Sequence, residues 1–299
     1  MAGGLEEMSM RDPRSRGSSV LNVISIDVEE IYHAELARRD APRLKLSLKP
    51  RALVGVRKAL SLLEEHGVHA TFFFVGEVAE LDPGLPEELE ERGHEVGFHG
   101  YHHKPLWELS PEGLREEIRA FKRLVQVRCV GFRAPSFSLD LRTSWALRVL
   151  AEEGFSYDSS VMPTRTPLYG LPGAPTRPYR PSLSDPRVED ESSPLLEFPA
   201  TTLGLGPLRL PLTGGFYLRA TPVRLLLAVI KRLNRCGLPA VLYVHTWELD
   251  PKTPLVPLRG PAKVFATYYS LTSTVRKLKY LLSQARFTSF MDYVERRGP

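Results

Sequence analysis

Short apolar strands alternate with amphipathic helices along this chain, and that alternation most constrains its fold. Residues 20–28 (VLNVISIDV) have the apolar and β-branched side chains of a buried strand. Apolar residues then recur at helical spacing over residues 50–66, and Gly67 ends the predicted helix. Further strands are expected at 70–75, 94–98, 129–132, 155–157 and 240–245, and further helices at 83–92, 110–127, 141–153, 222–236 and 263–285. This order predicts an α/β fold, an irregular (β/α) barrel of about seven parallel strands.

Three segments depart from the alternation. Residues 1–18 are rich in Gly, Ser, Arg and Met and are expected to form a disordered tail. Residues 29–50 are read as a long polar connection, and residues 162–196, which hold eight prolines, as a surface excursion. We therefore predict one catalytic domain over residues 19–299, which includes a C-terminal extension at about 200–290.

Composition excludes several classes of protein. The net charge is +5 and the pI about 9.2, but the basic residues are spread along the chain and form no nucleic-acid-binding arm. Neither a G-x-G-x-x-G after the first strand nor a Walker motif occurs. The N-terminal residues lack the apolar core of a signal peptide, and no apolar stretch is long enough to cross a bilayer. We expect a cytoplasmic protein without a transmembrane segment that does not bind nucleic acid.

Polar side chains follow several predicted strands where those strands end. They are Asp27, His99, Arg133, Asp158 and His245. In β/α barrels the active site assembles at the C-terminal ends of the strands. One such residue would indicate little, whereas five at successive strand ends predict an active site.

Two histidines and two acids predict a metal site within this set. His99 and His103 are four residues apart, so on a helical turn both imidazoles would share one face. Asp27 and Glu29 lie two apart, and residues i and i+2 of a strand point to the same side. Two imidazoles and a carboxylate are a common ligand set of catalytic zinc.

Read in order, these residues resemble the motifs of the polysaccharide deacetylases, carbohydrate esterase family four. The resemblance covers about residues 20 to 290. The matching segments are Ser25-Ile26-Asp27-Val28-Glu29, His99-Gly100-Tyr101-His102-His103, Arg133-Ala134-Pro135-Ser136-Phe137, Asp158 in YDSSV and His245 in LYVH. Each motif alone is weak, but all five in this order are specific.

Two longer segments resemble a subgroup associated with exopolysaccharide loci, whose first motif commonly reads D-V-E-D. They are GGFYLR at residues 214–219 and HTWELDP at residues 245–251. The chain departs from the wider family at Val28, where an aspartate usually binds the metal. Glu29 is the expected replacement, and Glu30 a less favoured one.

The resemblance implies a hydrolase that uses a divalent metal, expected to be zinc, to remove an acyl group from an N-acetylated sugar. Glu29, His99 and His103 would hold the metal. Asp27 would be the general base, kept ionised by Arg133, and His245 the general acid, oriented by Asp158. Substrate contacts are expected from Phe137, Gly215, Phe216, Arg219 and Trp247.

Two other functions stay open at this point. The chain could hydrolyse another carbon–nitrogen bond, as the cyclic amide hydrolases that resemble this family do. It could also be a metal-poor glycan-binding module, which the Val28 departure favours. The sequence leaves the sugar, the acyl group, the metal and a homo-oligomeric state undetermined.

Overall fold

A computed structural model describes residues 20–206 and 208–297, so the predicted tail at 1–18 lies outside the described residues. Ten strands are found there. They are β1 (Asn22–Val28), β2 (Thr71–Phe74), β3 (Glu95–Phe98), β4 (Gly131–Phe132), β5 (Tyr157–Asp158), β6 (Leu196–Glu197), β7 (Thr202–Leu205), β8 (Leu208–Pro211), β9 (Val241–His245) and β10 (Phe287–Thr288).

Twelve α-helices accompany the strands in the same described ranges. They are α1 (Ala41–Ser47), α2 (Ala52–His66), α3 (Gly76–Ala79), α4 (Leu85–Glu91), α5 (Pro111–Val125), α6 (Trp145–Glu152), α7 (Gly215–Ala220), α8 (Val223–Arg235), α9 (Thr246–Leu249), α10 (Pro261–Tyr268), α11 (Ser273–Gln284) and α12 (Phe290–Arg297). Short 3₁₀ turns occur at Ile31–His33, Arg38–Asp40, Leu106–Glu108 and Pro135–Phe137.

The main sheet is curled and its strands pair in parallel. Its path runs β9-β1-β2-β3-β4-β5-β6, and the short β10 also pairs with the beginning of β1. In the register of β1 with β9, Asp27 lies opposite His245. The predicted α/β fold, an irregular (β/α) barrel of about seven parallel strands, is confirmed, and the curled sheet forms a half-barrel.

Side chains of the sheet alternate between two apolar layers. Ile24, Ile26 and Val28 of β1 face outward into the large core between the sheet and its helices. Val23 faces inward, in a cluster where Phe290 and Tyr293 of α12 fill the barrel. Because strand side chains alternate, the inward row of β1 continues from Val23 toward Asp27 at the opposite end. The barrel interior is thus apolar at one end and polar at the other.

The space between β6 and β9 is filled by chain from the C-terminal half. β7 and β8 form an antiparallel hairpin, and the backbone N–H of Leu212 donates to the carbonyl of Thr201 at 3.1 Å. Gly214 forms a parallel bridge to Tyr243 of β9. A Cβ at Gly214 would lie 1.8 Å from the Tyr243 ring, so a glycine is required where the chain enters α7.

A second glycine sets the distance between α2 and α9. A Cβ at Gly55 would lie 2.1 Å from the carbonyl oxygen of Thr246. The Thr246 hydroxyl also donates to the carbonyl of Glu29 at 2.6 Å. Helix α9 is therefore held between β1 and α2, immediately after His245.

Two segments differ from the sequence-based expectation. The helix expected over 263–285 is two helices, α10 and α11, and it is followed by β10 and α12, which were missed. The connection expected over 29–50 contains α1 and two 3₁₀ turns. The residues of both segments pack on the barrel, so tertiary contacts stabilise helices too short to be evident from periodicity. Within the described residues, no helix has the length and apolar character needed to span a membrane.

Candidate active site

The polar end of the barrel brings together side chains from β1, β9 and the segment after β3. Asp27 and Glu29 are both buried and point to the same side of β1. The Nε2 atom of His245 lies 4.0 Å from Asp27 Oδ2 and 3.9 Å from Glu29 Oε1. The predicted metal ligands and the predicted acid and base thus share one site.

His99 and His103 reach this site from a loop, not from the helical turn that their spacing suggested. His99 follows the last residue of β3, while Gly100 and His103 have positive φ angles of 76° and 53°. This tight turn reverses the chain so that both rings face Glu29. The shared orientation was predicted correctly, but its cause was wrong.

Three buried groups can ligate one cation. One ligand atom each from Glu29, His99 and His103 lies within 4.8 Å of the other two. His103 Nε2 is 2.9 Å from Glu29 Oε2, and His99 Nε2 is 3.9 Å from the same oxygen. His99 Nδ1 is 2.7 Å from the carbonyl oxygen of Arg133, so Nδ1 carries the proton. The unprotonated Nε2 therefore has its lone pair available to bind a metal ion.

The electrostatics of the triad also suit a cation. Burial lowers the pKa of His99 to about 4, which keeps the imidazole neutral as ligation requires. Burial would raise the pKa of Glu29, but the neighbouring His103, His245 and His99 outweigh it and hold that pKa far below its usual range. A divalent ion held by these three side chains would add further positive charge beside the buried Glu29 carboxylate.

Glu29 supplies the carboxylate that Val28 cannot. Val28 is fully buried in the outer core, whereas Glu29 Oε1 accepts a hydrogen bond from Trp247 Nε1 at 3.0 Å. Glu30 faces elsewhere: its Oε1 accepts the backbone N–H groups of Arg51 and Ala52 at 2.6 and 2.7 Å. Glu30 therefore caps the beginning of α2 and is not a ligand.

Arg133 pairs with Asp27 as expected. Its Nη1 lies 2.7 Å from Asp27 Oδ1 and 2.7 Å from Ser25 Oγ, and its Nε donates to the carbonyl of Ser159. The guanidinium is fully buried and sits 4.5 Å from the Phe73 ring. Oδ1 of Asp27 is fixed by this pair, and Oδ2 faces His99 and His245.

His245 is oriented by Glu248, not by Asp158. His245 Nδ1 lies 2.7 Å from Glu248 Oε2, and the Nε of Arg219 donates to Glu248 Oε1 at 2.7 Å. Burial would lower the pKa of His245, but the carboxylates of Glu248, Glu29 and Asp27 outweigh it and raise that pKa to about 9. His245 is thus protonated near neutral pH, with Nε2 directed at the site.

The role assigned to Asp158 from sequence was wrong. Asp158 is buried at the end of β5, where it accepts a hydrogen bond from Ser160 and lies beside Glu197. In the sheet, β5 is separated from β9 by β4, β3, β2 and β1. Asp158 therefore belongs to a carboxyl pair in the barrel wall and has no contact with His245.

A cavity of about 490 Å³ opens onto these groups. Its walls carry the predicted contacts Phe137, Gly215, Phe216 and Trp247. Trp247 stacks on His245 with ring centroids 5.3 Å apart. Of the proline-rich excursion, residues 166–169 line the cavity, whereas residues 170–196 do not. Only a short part of this excursion therefore borders the cavity.

Arg219 borders the cavity but is not available as predicted for substrate. Its side chain is almost fully buried, and beyond Glu248 it donates to the carbonyls of Tyr269 and Ala266. The acceptors of all these hydrogen bonds are protein atoms. Arg219 supports Glu248 instead of contacting a ligand.

Three residues of the site were missed from sequence: Glu248, which contacts His245, and Tyr169 and Tyr243, which line the cavity. Glu248 lies three residues after His245 and also accepts the His245 backbone N–H at 3.1 Å. This capping-box spacing was a readable signal. Tyr169, within a stretch without periodicity, and Tyr243, within an apolar strand, gave none.

Two family models match successive parts of the chain. Residues 54–154 match the family described as polysaccharide deacetylase, and residues 159–295 match a domain of unknown function, DUF3473. His99, His103 and Arg133 lie in the first segment, while His245, Glu248 and Arg219 lie in the second. The site is thus built from both matched segments, together with Asp27 and Glu29, which precede them.

Curated relatives are similar over part of the chain. A peptidoglycan deacetylase-like protein of Gibberella zeae is 32% identical over 124 residues, which are 40% of this chain and 36% of the relative. A peptidoglycan-N-acetylglucosamine deacetylase of Bacillus cereus is 35% identical over 80 residues, 27% of this chain and 28% of the relative. The chain spans about a third of the length of these relatives. Together with the family match, they support a relationship to the polysaccharide deacetylase family.

Solved structures share the fold over nearly the whole chain. A Mycobacterium smegmatis protein assigned as a polysaccharide deacetylase superimposes with a TM-score of 0.59 at 21% identity, covering 94% of this chain and 90% of that one. The PuuE allantoinase superimposes with a TM-score of 0.56 at 17% identity, covering 91% and 87%. At these identities the likeness concerns the fold.

Proposed function

We propose that this chain, related to the polysaccharide deacetylases over residues 54–154, is a metal-dependent hydrolase that removes an N-acyl group from an amino sugar. The observation that carries the proposal is the buried triad of Glu29, His99 and His103, which faces Asp27 and His245 in one cavity. The membership of the exopolysaccharide-associated subgroup is part of this proposal. Its support is the pair of segments at 214–219 and 245–251, which form the cavity wall and carry the predicted acid.

The metal is proposed to be zinc. Two neutral imidazoles and one carboxylate are a ligand set that zinc favours in catalytic sites. A divalent ion held there would polarise the acyl carbonyl and lower the pKa of water. The three side chains are buried and already face one another, so little rearrangement is needed to bind an ion.

Asp27 and His245 supply the two proton transfers of the proposed reaction. Asp27 Oδ2 accepts a proton from the attacking water, while Arg133 holds Oδ1. His245 Nε2 donates a proton to the leaving nitrogen, and Glu248 stabilises the imidazolium and fixes its ring. The two Asp27 oxygens thus have separate partners, which keeps Oδ2 aimed at the cavity.

The cavity walls suit a sugar ring. The ring centroid of Phe137 lies 5.6 Å from that of Tyr169 and 5.2 Å from that of Tyr243. Phe216 lines the same cavity, with its ring 5.9 Å from that of Phe265 in α10. Aromatic faces pack against the C–H faces of saccharides, while buried polar groups select the reacting amide. An amino sugar with a small N-acyl group matches this division.

The other two functions are less well supported. The replacement of the family aspartate by Val28 favoured a metal-poor module, but Glu29 lies where a ligand is needed. Hydrolysis of a cyclic amide has the allantoinase fold in its favour, although a shared fold does not establish a shared substrate. The aromatic walls favour the sugar.

The decisive experiment combines metal analysis with acyl release. The purified 299-residue chain should contain close to one divalent ion and release acetate from N-acetylglucosamine oligomers. Chelation should stop release, and zinc should restore it. Ring opening of allantoin without acetate release would favour the cyclic amide alternative. Absence of metal together with absence of both activities would contradict the proposal.

A further inference from the structure

One edge of the cavity mouth combines exposed apolar side chains with unpaired positive charge. Ala262, Lys263, Ala266 and Thr267 of the α10 segment line the cavity. We define the mouth surface as the outward side of residues 252–269, which includes α10 and the loop before it. Its exposed large apolar residues are Leu255, Val264, Phe265 and Tyr269.

These side chains are exposed although other apolar side chains of the same segment are buried. Leu255 is 82% exposed and Phe265 is 55% exposed. By contrast, Val256 and Leu258 of the same loop are buried against Trp247. The loop is therefore anchored by alternate residues while Leu255 points outward. Large apolar side chains grouped at the edge of a cavity are typical of a binding surface.

The charge of the chain around the mouth surface indicates the kind of partner that this surface binds. Residues 251–291 contain seven basic residues and no acidic residue. Lys277 donates to a backbone carbonyl of α7, and Lys279 forms an ion pair with Glu65. Within residues 20–206 and 208–297, neither Arg259 nor Lys263 of the mouth surface forms an ion pair.

Apolar side chains that project between unpaired basic ones match the surface of an anionic lipid bilayer. Apolar groups enter the headgroup boundary, while lysine and arginine lie at the phosphate level. A second copy of this chain would place the same positive charges against each other, which opposes a symmetric contact through this face. The charge pattern thus favours lipid over self-association.

We propose that the mouth surface binds an anionic lipid bilayer and directs the cavity toward it. This docking is independent of the chemistry of the site. The consequence that the amino sugar is presented at a bilayer, as part of a lipid-linked saccharide, rests on the proposed function. In that arrangement the sugar enters beside α10, and its lipid stays in the membrane.

Co-sedimentation with vesicles tests the docking. The 299-residue chain should sediment with phosphatidylcholine vesicles that contain phosphatidylglycerol, but not with pure phosphatidylcholine vesicles. Binding should weaken as salt is raised, because the charges involved are exposed. The double variant Leu255→Asp/Val264→Asp should bind about tenfold less, since it removes apolar insertion and adds negative charge.

Matched variants keep the test specific. Leu208→Asp and Val188→Asp change residues of comparable exposure outside the mouth surface, and both should bind like the wild type. Acetate release from a soluble oligomer should be unchanged in the Leu255/Val264 variant, so lost docking is distinguishable from a failed active site. Equal binding of this variant, or binding that ignores lipid charge, would overturn the proposal. A dimer that this variant dissociates, with no wild-type vesicle binding, would overturn it as well.

Discussion

Glu248 and His245 are joined across one helical turn, with Oε2 of the carboxylate 2.7 Å from Nδ1 of the imidazole. The carboxylate is fully buried and also paired with Arg219. Burial would raise the pKa of Glu248, but His245 and Arg219 outweigh it and hold that pKa below its usual value. A charged partner is therefore maintained behind the imidazole over the whole neutral range.

Glu248→Gln should shift the alkaline limb of the pH–rate profile. As the proposed acid, His245 would act only while protonated, so activity should be lost as pH rises through its pKa of about 9. Removing the carboxylate lowers that pKa, and the limb should move down by about 1 to 3 pH units. Full profiles on one soluble substrate at fixed metal concentration would measure this. Asp158→Asn is the control, and a limb that moved in Asp158→Asn alone would restore the original assignment.

Glu29→Gln should impair metal binding, whereas Glu30→Gln should lower stability. Glu29→Gln should lower metal content well below one ion per chain, because it removes the anionic ligand. Glu30→Gln should keep the ion but lower the free energy of unfolding by about 1 kcal/mol, because Glu30 caps α2. Elemental analysis and urea unfolding would check both variants. Metal loss in Glu30→Gln with retention in Glu29→Gln would reverse the ligand assignment.

Asp27→Asn should keep the metal and lose turnover. The amide retains the shape of the side chain but cannot accept the proton, so kcat should fall by about 10²- to 10⁴-fold. Single-substrate kinetics with parallel metal analysis would show whether kcat alone changes. Ser25→Ala is a matched control, because it removes the second partner of the same Arg133 nitrogen without touching the base. Wild-type kcat in Asp27→Asn would leave this residue with a structural role.

The Asp158–Glu197 pair should make stability decrease with rising pH. Burial raises the pKa of Asp158 to about 6 and raises the pKa of Glu197 well above its usual value. The native state then binds more protons than the unfolded chain from about pH 4 upward, to about pH 6 for Asp158 and to higher pH for Glu197. Unfolding free energy therefore falls as pH rises through that range. The part due to Asp158 should be on the order of 3 kcal/mol. Urea unfolding between pH 4.5 and 8 should show that the free energy of unfolding depends less on pH in Asp158→Asn than in the wild type. The same pH dependence in both proteins would contradict this prediction.

Gly55→Ala should disturb the site from outside it. The added methyl group would meet the carbonyl of Thr246, so α9 and α2 must separate at a cost of about 1–3 kcal/mol. Because His245 and Glu248 flank Thr246, activity should fall along with thermal stability. Gly84→Ala, where a methyl group meets little, is the matched control. Thermal unfolding and kcat measured together would check this, and an unaffected Gly55→Ala would show that α9 accommodates the shift.

The inward face of β1 could be predicted from sequence because strand side chains alternate with a period of two. That rule placed Asp27 and Glu29 together, and the ends of successive strands supplied His99, Arg133 and His245. Asp158 was misassigned because sequence order does not state which strands are neighbours, and β5 lies far from β9 across the sheet. Arg219 was misassigned because its burial against Glu248 depends on α7, α9 and α10 meeting, which no local pattern encodes.

The pairing of β1 with β9 has a consequence for the order of events during synthesis. Asp27 and His245 are opposite each other in the sheet, yet more than two hundred residues separate them along the chain. A ribosome releases β1 long before β9 exists, so that edge of β1 must wait unpaired while most of the chain emerges. Contacts of such high sequence separation form slowly, so Asp27 and His245 meet only after β9 has emerged. The proposed site is therefore assembled late in the synthesis of the chain.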